Sequence, residues 1–240
     1  MKKLIFFLFA ILIFASSCEL IMARHIHGDG KIITETRKVP FADKIKLAGS
    51  YDIELVKGSV PGVVVEADEN LLPYLKTRTE GDWLVIKSDN FISLDPSKKI
   101  KITITTENLS AISIAGSGNV FGTDKMSCSD KMDLRIAGSG DVNLNINAPK
   151  VFTEIAGSGN VTLAGETKDQ EIRIAGNGDY LCQGLKSENA DVHIAGSGDV
   201  RLFVDNKLNI RIAGSGDVYY QGNATVEQHI AGNGQIKKIQ

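Results

Sequence analysis

Cysteine is scarce in this chain. Of three in 240 residues, only Cys128 and Cys182 lie beyond the N-terminal leader described below, too few for the disulfide framework that staples small extracellular domains. They stand several repeat units apart and at different phases of the repeat, so they are not expected to pair. A surplus of one charge is missing as well: 27 basic residues face 29 acidic ones and the net charge is −2. That balance argues against the basic stripe of a nucleic-acid binder and points to no strongly electrostatic partner. Catalytic constellations are also lacking. No Ser-His-Asp set, zinc-ligand spacing or phosphate loop stands out, and the Gly-Ser-Gly segments are not followed by the helical patterns of a dinucleotide fingerprint. Polysaccharide chemistry needs paired carboxylates at a set separation in a cleft, whereas the acids here are spread by a repeat. The chain therefore reads as a non-enzyme with no cofactor.

What is present begins with a leader. Met1-Lys2-Lys3 precedes an uninterrupted apolar run, Leu4 to Ala15, of 12 residues, short of the roughly 20 that span a bilayer. Small residues follow, which is the layout of a secretory signal peptide over residues 1–17. Ala15-Ser16-Ser17-Cys18 resembles the lipobox of bacterial lipoproteins, so Cys18 is the expected lipidation site. Ala15 stands where Leu is commonest, which leaves ordinary cleavage nearby as the alternative. Residues 18–27 read as a lipid-anchored tether, and the expected location is the outer membrane, on its periplasmic or cell-surface side.

The rest is governed by a repeat. Ile-Ala-Gly-(Ser/Asn)-Gly-(Asp/Asn/Gln) begins at Ile114, Ile136, Ile155, Ile174, Ile194, Ile212 and Ile230, at spacings of 22, 19, 19, 20, 18 and 18 residues. That period is too short for helical-pair repeats and suits one coil of a β-solenoid. Apolar and other residues alternate on both sides of each motif, as in Leu134-Arg135-Ile136 and Val142-Asn143-Leu144, so two short strands meet at a corner. Seven identical corners are better explained by stacking than by seven separate hairpins. Stacking aligns the isoleucines in one apolar column and Val120, Val142, Val161, Tyr180, Val200, Val218 and Ile236 in another, mostly β-branched and suited to a pleated surface. The alanine after each isoleucine reads as a small-residue column where the chain bends tightly. The corner glycines are Gly116 and Gly118, Gly138 and Gly140, Gly157 and Gly159, Gly176 and Gly178, Gly196 and Gly198, Gly214 and Gly216, and Gly232 and Gly234. They are assigned to structural turns that need positive φ.

Before Ile114 the period degrades. Leu47-Ala48-Gly49-Ser50-Tyr51-Asp52-Ile53 is a variant corner with Tyr51 in place of the second glycine, 67 residues ahead of the first full motif. Three coils would fill that gap. Residues 28–110 are read as an N-terminal cap with irregular coils, residues 111–240 as regular coils, and 28–240 as one continuous solenoid domain. The fold class is all-β: a single-stranded parallel β-helix of about 18–22 residues per coil.

The combined pattern resembles a family of bacterial envelope proteins described as putative auto-transporter adhesin, head GIN domain, a domain of unknown function common in Bacteroidetes. The resemblance rests on Leu47 to Ile53, on Val65-Glu66-Ala67-Asp68-Glu69-Asn70-Leu71, on the serial Gly-Ser-Gly corners and on Tyr219-Tyr220-Gln221-Gly222. It implies a right-handed parallel β-helix, a lipoprotein-like start and an adhesion role, with no catalytic residues to carry over. The expected function is a non-enzymatic envelope lipoprotein that binds a surface glycan or protein. A periplasmic structural module is the alternative, and a polysaccharide-acting enzyme stands third.

Four sets of side chains are candidates. The outward residue before each corner isoleucine runs Ser113, Arg135, Glu154, Arg173, His193, Arg211, His229. Arg135, Arg173, His193 and Arg211, with outward Tyr219, form the expected ligand face for acidic glycans or head groups, against a simple solvated sheet face. The corner acids Asp141, Asp179, Asp199 and Asp217 would stack about 4.8 Å apart. Calcium wants six to eight oxygens and Asn119, Asn160 and Gln235 interrupt the acids, so turn capping is expected and no metal is assigned. Cys182 occupies an inward phase and should be an inert buried thiol; Cys128 has no evident place. Tyr51, Tyr74 and Trp83 could stack on a partner, with Trp83 read first as core or cap filler. Flat faces and solenoid ends also make self-association an expectation.

Overall fold

The structure, a computed structural model, describes residues 24–240. The leader, Cys18 and most of the tether lie outside the described residues. Around each corner the sequence alternation becomes two strands, as in Lys131–Gly138 running into a corner and Val142–Gly157 leaving it. Every one of these strands pairs in parallel with its counterpart one repeat away. Ile114, Ile136, Ile155, Ile174, Ile194, Ile212 and Ile230 stand in register. So do the residues from Val120 to Ile236 on the far side of the corner. Hairpins would have given antiparallel pairs, so the repeat is a stack of coils. Both columns are buried from the first coil to Val218, and each buried isoleucine contributes roughly 1.5–3 kcal/mol.

The two glycines of a corner share one constraint, and the first carries a second. Gly138 has φ +138, a region closed to other residues. Gly140 does not have positive φ, and the expectation that both would is corrected here. A Cβ on Gly140 would collide with the carbonyl oxygen of Gly118 in the coil below. A Cβ on Gly138 would likewise meet the Gly116 carbonyl oxygen, so the first glycine serves both backbone conformation and the close approach of stacked backbones, and the second serves the close approach alone. The alanine column is also corrected. Ala137, Ala156, Ala175, Ala195, Ala213 and Ala231 are exposed on the outside of the stack, because strand alternation sends the neighbour of an inward isoleucine outward.

The N-terminal third does not contain three sequential coils. Lys44–Gly49 pairs in parallel both with Ala111–Gly116 and with Trp83–Ser88. Asp52–Lys57 likewise lies between Val120–Ser127 and Lys101–Thr106. The variant corner thus stacks directly on the first full motif, and residues 83–106 form the coil outside it. The remaining segments turn antiparallel: Gly62–Asp68 between Lys101–Thr106 and Ile32–Arg37, and Leu75–Glu80 beside Trp83–Ser88. Reversing strand direction ends the parallel stack with a covered edge. Arg24–His27 pairs with Ile92–Asp95, so these four residues of the supposed tether are part of the cap.

Polar knots hold the cap. Asp68 is fully buried and accepts hydrogen bonds from the Gly30 and Ser97 amides at 2.8 and 3.0 Å and from the Ser97 hydroxyl. Burial pushes its carboxyl up, but these donors together outweigh that and hold its pKa below 3.8. The Arg37 guanidinium donates to the carbonyls of Leu75 and Leu72. Tyr51 is buried with its ring against Gly49, so it fills the first corner and is withdrawn as a stacking candidate.

Candidate binding surfaces on the outer faces of the stack

At the corners, the polar residue after the second glycine reaches up the stack. Oδ1 of Asp141, Asp179, Asp199 and Asp217 accepts the backbone N–H of Asn160, Asp199, Asp217 and Gln235, at 2.8 to 2.9 Å. Asn119 and Asn160 do the same for Asp141 and Asp179. Each side chain thus caps the next coil, and asparagine serves as well as aspartate because only a carbonyl-type oxygen is needed. Among the described residues no group of three or more His, Cys, Asp or Glu is placed to hold a metal ion.

The strands entering the corners carry the basic column on their outer face. Ser113, Arg135, Glu154, Arg173, His193, Arg211 and His229 are aligned by register. The column two residues earlier is acidic in part and neutralises it. Arg135 bonds Asp133 at 2.8 Å and Glu154 at 3.2 Å, Arg173 bonds Glu171 at 2.8 Å, and Asp191 lies 3.1 Å from His193 and 3.8 Å from Arg211. Burial pushes the Asp133 carboxyl up, yet the hydrogen bonds from Arg135 and Lys131 prevail and its pKa is lowered. Phe152, outward and yet buried, lies beneath Lys131, Arg135 and Arg173, whose cationic centres are 4.4, 5.2 and 5.5 Å from the ring centroid. These cations form a ridge over an aromatic ring, held by their own acids.

Tyr219 does not join this column. It lies beyond the corner, on strand Val218–Gln221, between Arg201 and Lys237 at 4.8 and 5.9 Å, with its hydroxyl donating to Asp217. The five residues assigned to one ligand face are therefore split between two faces of the stack, because a corner separates Arg211 from Tyr219.

Two concavities flank the Phe152 ridge. Toward the C-terminus a groove of about 680 Å³ runs along the stack. Its floor is the ladder of exposed alanines from Ala156 to Ala231, and Arg173, His193, Arg211 and His229 stand along it. Toward the N-terminal cap lies a recess of about 730 Å³. It forms because the coil at Ala111–Gly116 presents only small side chains outward, with Ala111 and Ser113 facing the recess. The coils on either side present Lys44 and Lys46, and Asp133 and Arg135, at the same register. Trp83 lines this recess, half-buried at the outer coil, so it is not core filler. Cys128 also lines it and packs partly against the core. The sequence reading missed the recess, although Ser113 at the head of the basic column was its visible trace.

Inside the stack, Cys182 is fully buried with its thiol pKa pushed up by burial, as its inward phase implied. Next to it Tyr180 replaces a valine of the column. Its hydroxyl donates to buried Gln170 at 2.6 Å, and Gln170 in turn donates to Ser187. Sequence phase alone could not reveal this chain, because Gln170 comes from the opposite strand of the coil.

Comparison with known proteins agrees with this architecture. A protein from Parabacteroides distasonis, described as a putative lipid binding protein, shares 26% identity over 90% of this chain and 100% of its own, with a TM-score of 0.74. Putative adhesins from Bacteroides fragilis and Parabacteroides merdae share 24% and 22%, cover 89% and 91% of this chain and 100% of their own, and superpose with TM-scores of 0.82 and 0.70. Those two likenesses show the fold. No match is found among curated proteins. The family model described as putative auto-transporter adhesin, head GIN domain, matches residues 42–224, from the inner cap coil through the corner that begins at Ile212, and the chain belongs to that family.

Proposed function

We propose that this protein is a non-enzymatic binding module of the bacterial envelope, carried to the outer membrane as a lipoprotein through Cys18. Its contact surface is the outer face of the corner-entering strands. The observation that carries this reading is the pair of concavities on that face, one floored by small apolar side chains and one containing an aromatic ring, on a rigid parallel stack. The corner acids are tied to backbone amides, and Asp133, Glu154, Glu171 and Asp191 on the face lie against neighbouring cations, so these carboxylates are not free for acid and base work. The family description and the relatives described as adhesins or as lipid-binding support surface binding. A surface glycan or protein is the intended partner, with a second copy of the chain as a further one.

The test is protease shaving of intact cells with metabolic lipid labelling. Lipid on the wild type and none on Cys18→Ser, with the stack cut from intact cells, is the expected result. Protection until the outer membrane is opened would replace adhesion by a periplasmic structural role.

A further inference from the structure

The recess beside the cap has a composition that selects among partners. It spans the coils from Trp83 to Asp133, three stacking steps or about 14 Å, on the scale of a short oligosaccharide. Its floor, Ala111 and Ser113, is recessed by the length of a side chain, and Ala111 is buried. Several of its charges are already committed. Lys44 pairs with Asp82, Lys131 and Arg135 with Asp133, and Asp43 accepts from the Ser110 hydroxyl. Lys46, Ser113, Ser129 and Asp130 line it with no ion pair or side-chain hydrogen bond among the described residues.

These groups differ in hydrogen-bonding character. Lys46 only donates, Asp130 only accepts, and the Ser113 hydroxyl does both. A strongly anionic ligand would face Asp130 and a cation would face Lys46. Sugar hydroxyls, each a donor and an acceptor, satisfy both. The apolar face of a pyranose ring needs a flat apolar surface, and Trp83 supplies an aromatic one at the edge of the same recess. Building on the surface-binding reading above, we propose that this recess is a saccharide site for a neutral, hydroxyl-rich glycan unit. The sugar ring stacks on Trp83 and its hydroxyls bond Lys46, Ser113 and Asp130.

The fold itself supplies the variants for testing this. Ser113 shares its column with Arg135, Arg173 and Arg211, and Ala111 shares its column with Phe152. Ser113→Arg and Ala111→Phe therefore place in the recess side chains that the same stack already accepts one or more coils away. Trp83 is the only tryptophan, so intrinsic fluorescence reads occupancy directly. The mature chain and both variants are titrated with glucan, mannan, galactan and xylan oligosaccharides and, separately, with oligogalacturonate, with thermal melting as the check on folding. A saturable emission change with at least one neutral oligosaccharide is expected, with affinity falling about tenfold or more in both variants at unchanged melting temperature. Neutral binding that survives both substitutions would move the site elsewhere and overturn the proposal while leaving surface binding intact. Binding of oligogalacturonate alone would overturn the ligand class. If no sugar binds, the proposal falls, and the shaving result then decides separately whether the surface-binding reading stands.

Discussion

At the scale of the residue, each corner position answers to one identifiable force. The polar residue after the second glycine alternates between aspartate and asparagine because both present an oxygen to the amide of the coil above. Asp199 is the informative position, since it receives an oxygen from Asp179 for its own amide and gives one to Asp217. Asp199→Asn is expected to change stability by no more than about 0.5 kcal/mol, and Asp199→Ala to lower it by about 1 kcal/mol by orphaning the Asp217 amide. Urea denaturation of the two variants measures the difference. Equal losses would show that charge, and not the capping bond, is what the position supplies. The motif made the capping role legible, because Asp and Asn alternated where only a shared oxygen acceptor could be conserved chemistry across coils.

At the scale of the element, the cap depends on a buried carboxylate and the regular coils do not. Asp68 has a folded pKa below its ordinary 3.8. A carboxyl lowered on folding stabilises fully above the unfolded value, and that contribution is lost as pH falls through the folded value. The cap is therefore expected to loosen below pH 3.8, seen as faster hydrogen exchange in Gly62–Asp68 and around Ser97. Exchange in Asn189–Gly196, at the middle of the regular coils, should respond far less. Asp68→Asn should loosen the cap at neutral pH and flatten its acid response; an acid response unchanged in that variant would assign it to another group. None of this was readable beforehand. The segment from Gly62 to Asp68 has strand-like alternation, but its antiparallel partners come from residues 32–37 and 101–105, and no local pattern records them.

At the scale of the whole molecule, the stack is nearly one-dimensional, and stability passes between nearest neighbours. Middle coils have a partner above and below, whereas Thr225–Gly232 pairs only with Lys207–Gly214 among the described strands, and its inward Val226 and Ile230 are only partly buried. Amide exchange measured by mass spectrometry is expected to be slowest across residues 134–194, bounded by the Leu134 and Ile194 columns, and to quicken toward residue 232. Uniform protection along the stack would mean that the C-terminal coil is covered by a partner, such as a second copy.

The sequence by itself determined the coil. A period near 19 residues, inward β-branched columns and glycine corners leave one arrangement that buries every column, because stacked identical strands satisfy both the backbone and the apolar surface. It also carried the family. Only the tertiary structure decided how the coils are ordered at the cap, where a corner from residues 44–57 is inserted between segments that follow it in sequence. It alone showed that the basic column is matched by its neighbouring acids, that Tyr219 faces another way, and that Ala111 and Ser113 open a recess in front of Trp83. The physical reason is the same in each case. A repeat specifies what each coil does to the next through hydrogen bonds of fixed register. A recess or an ion pair depends on side chains from coils that are adjacent only after stacking.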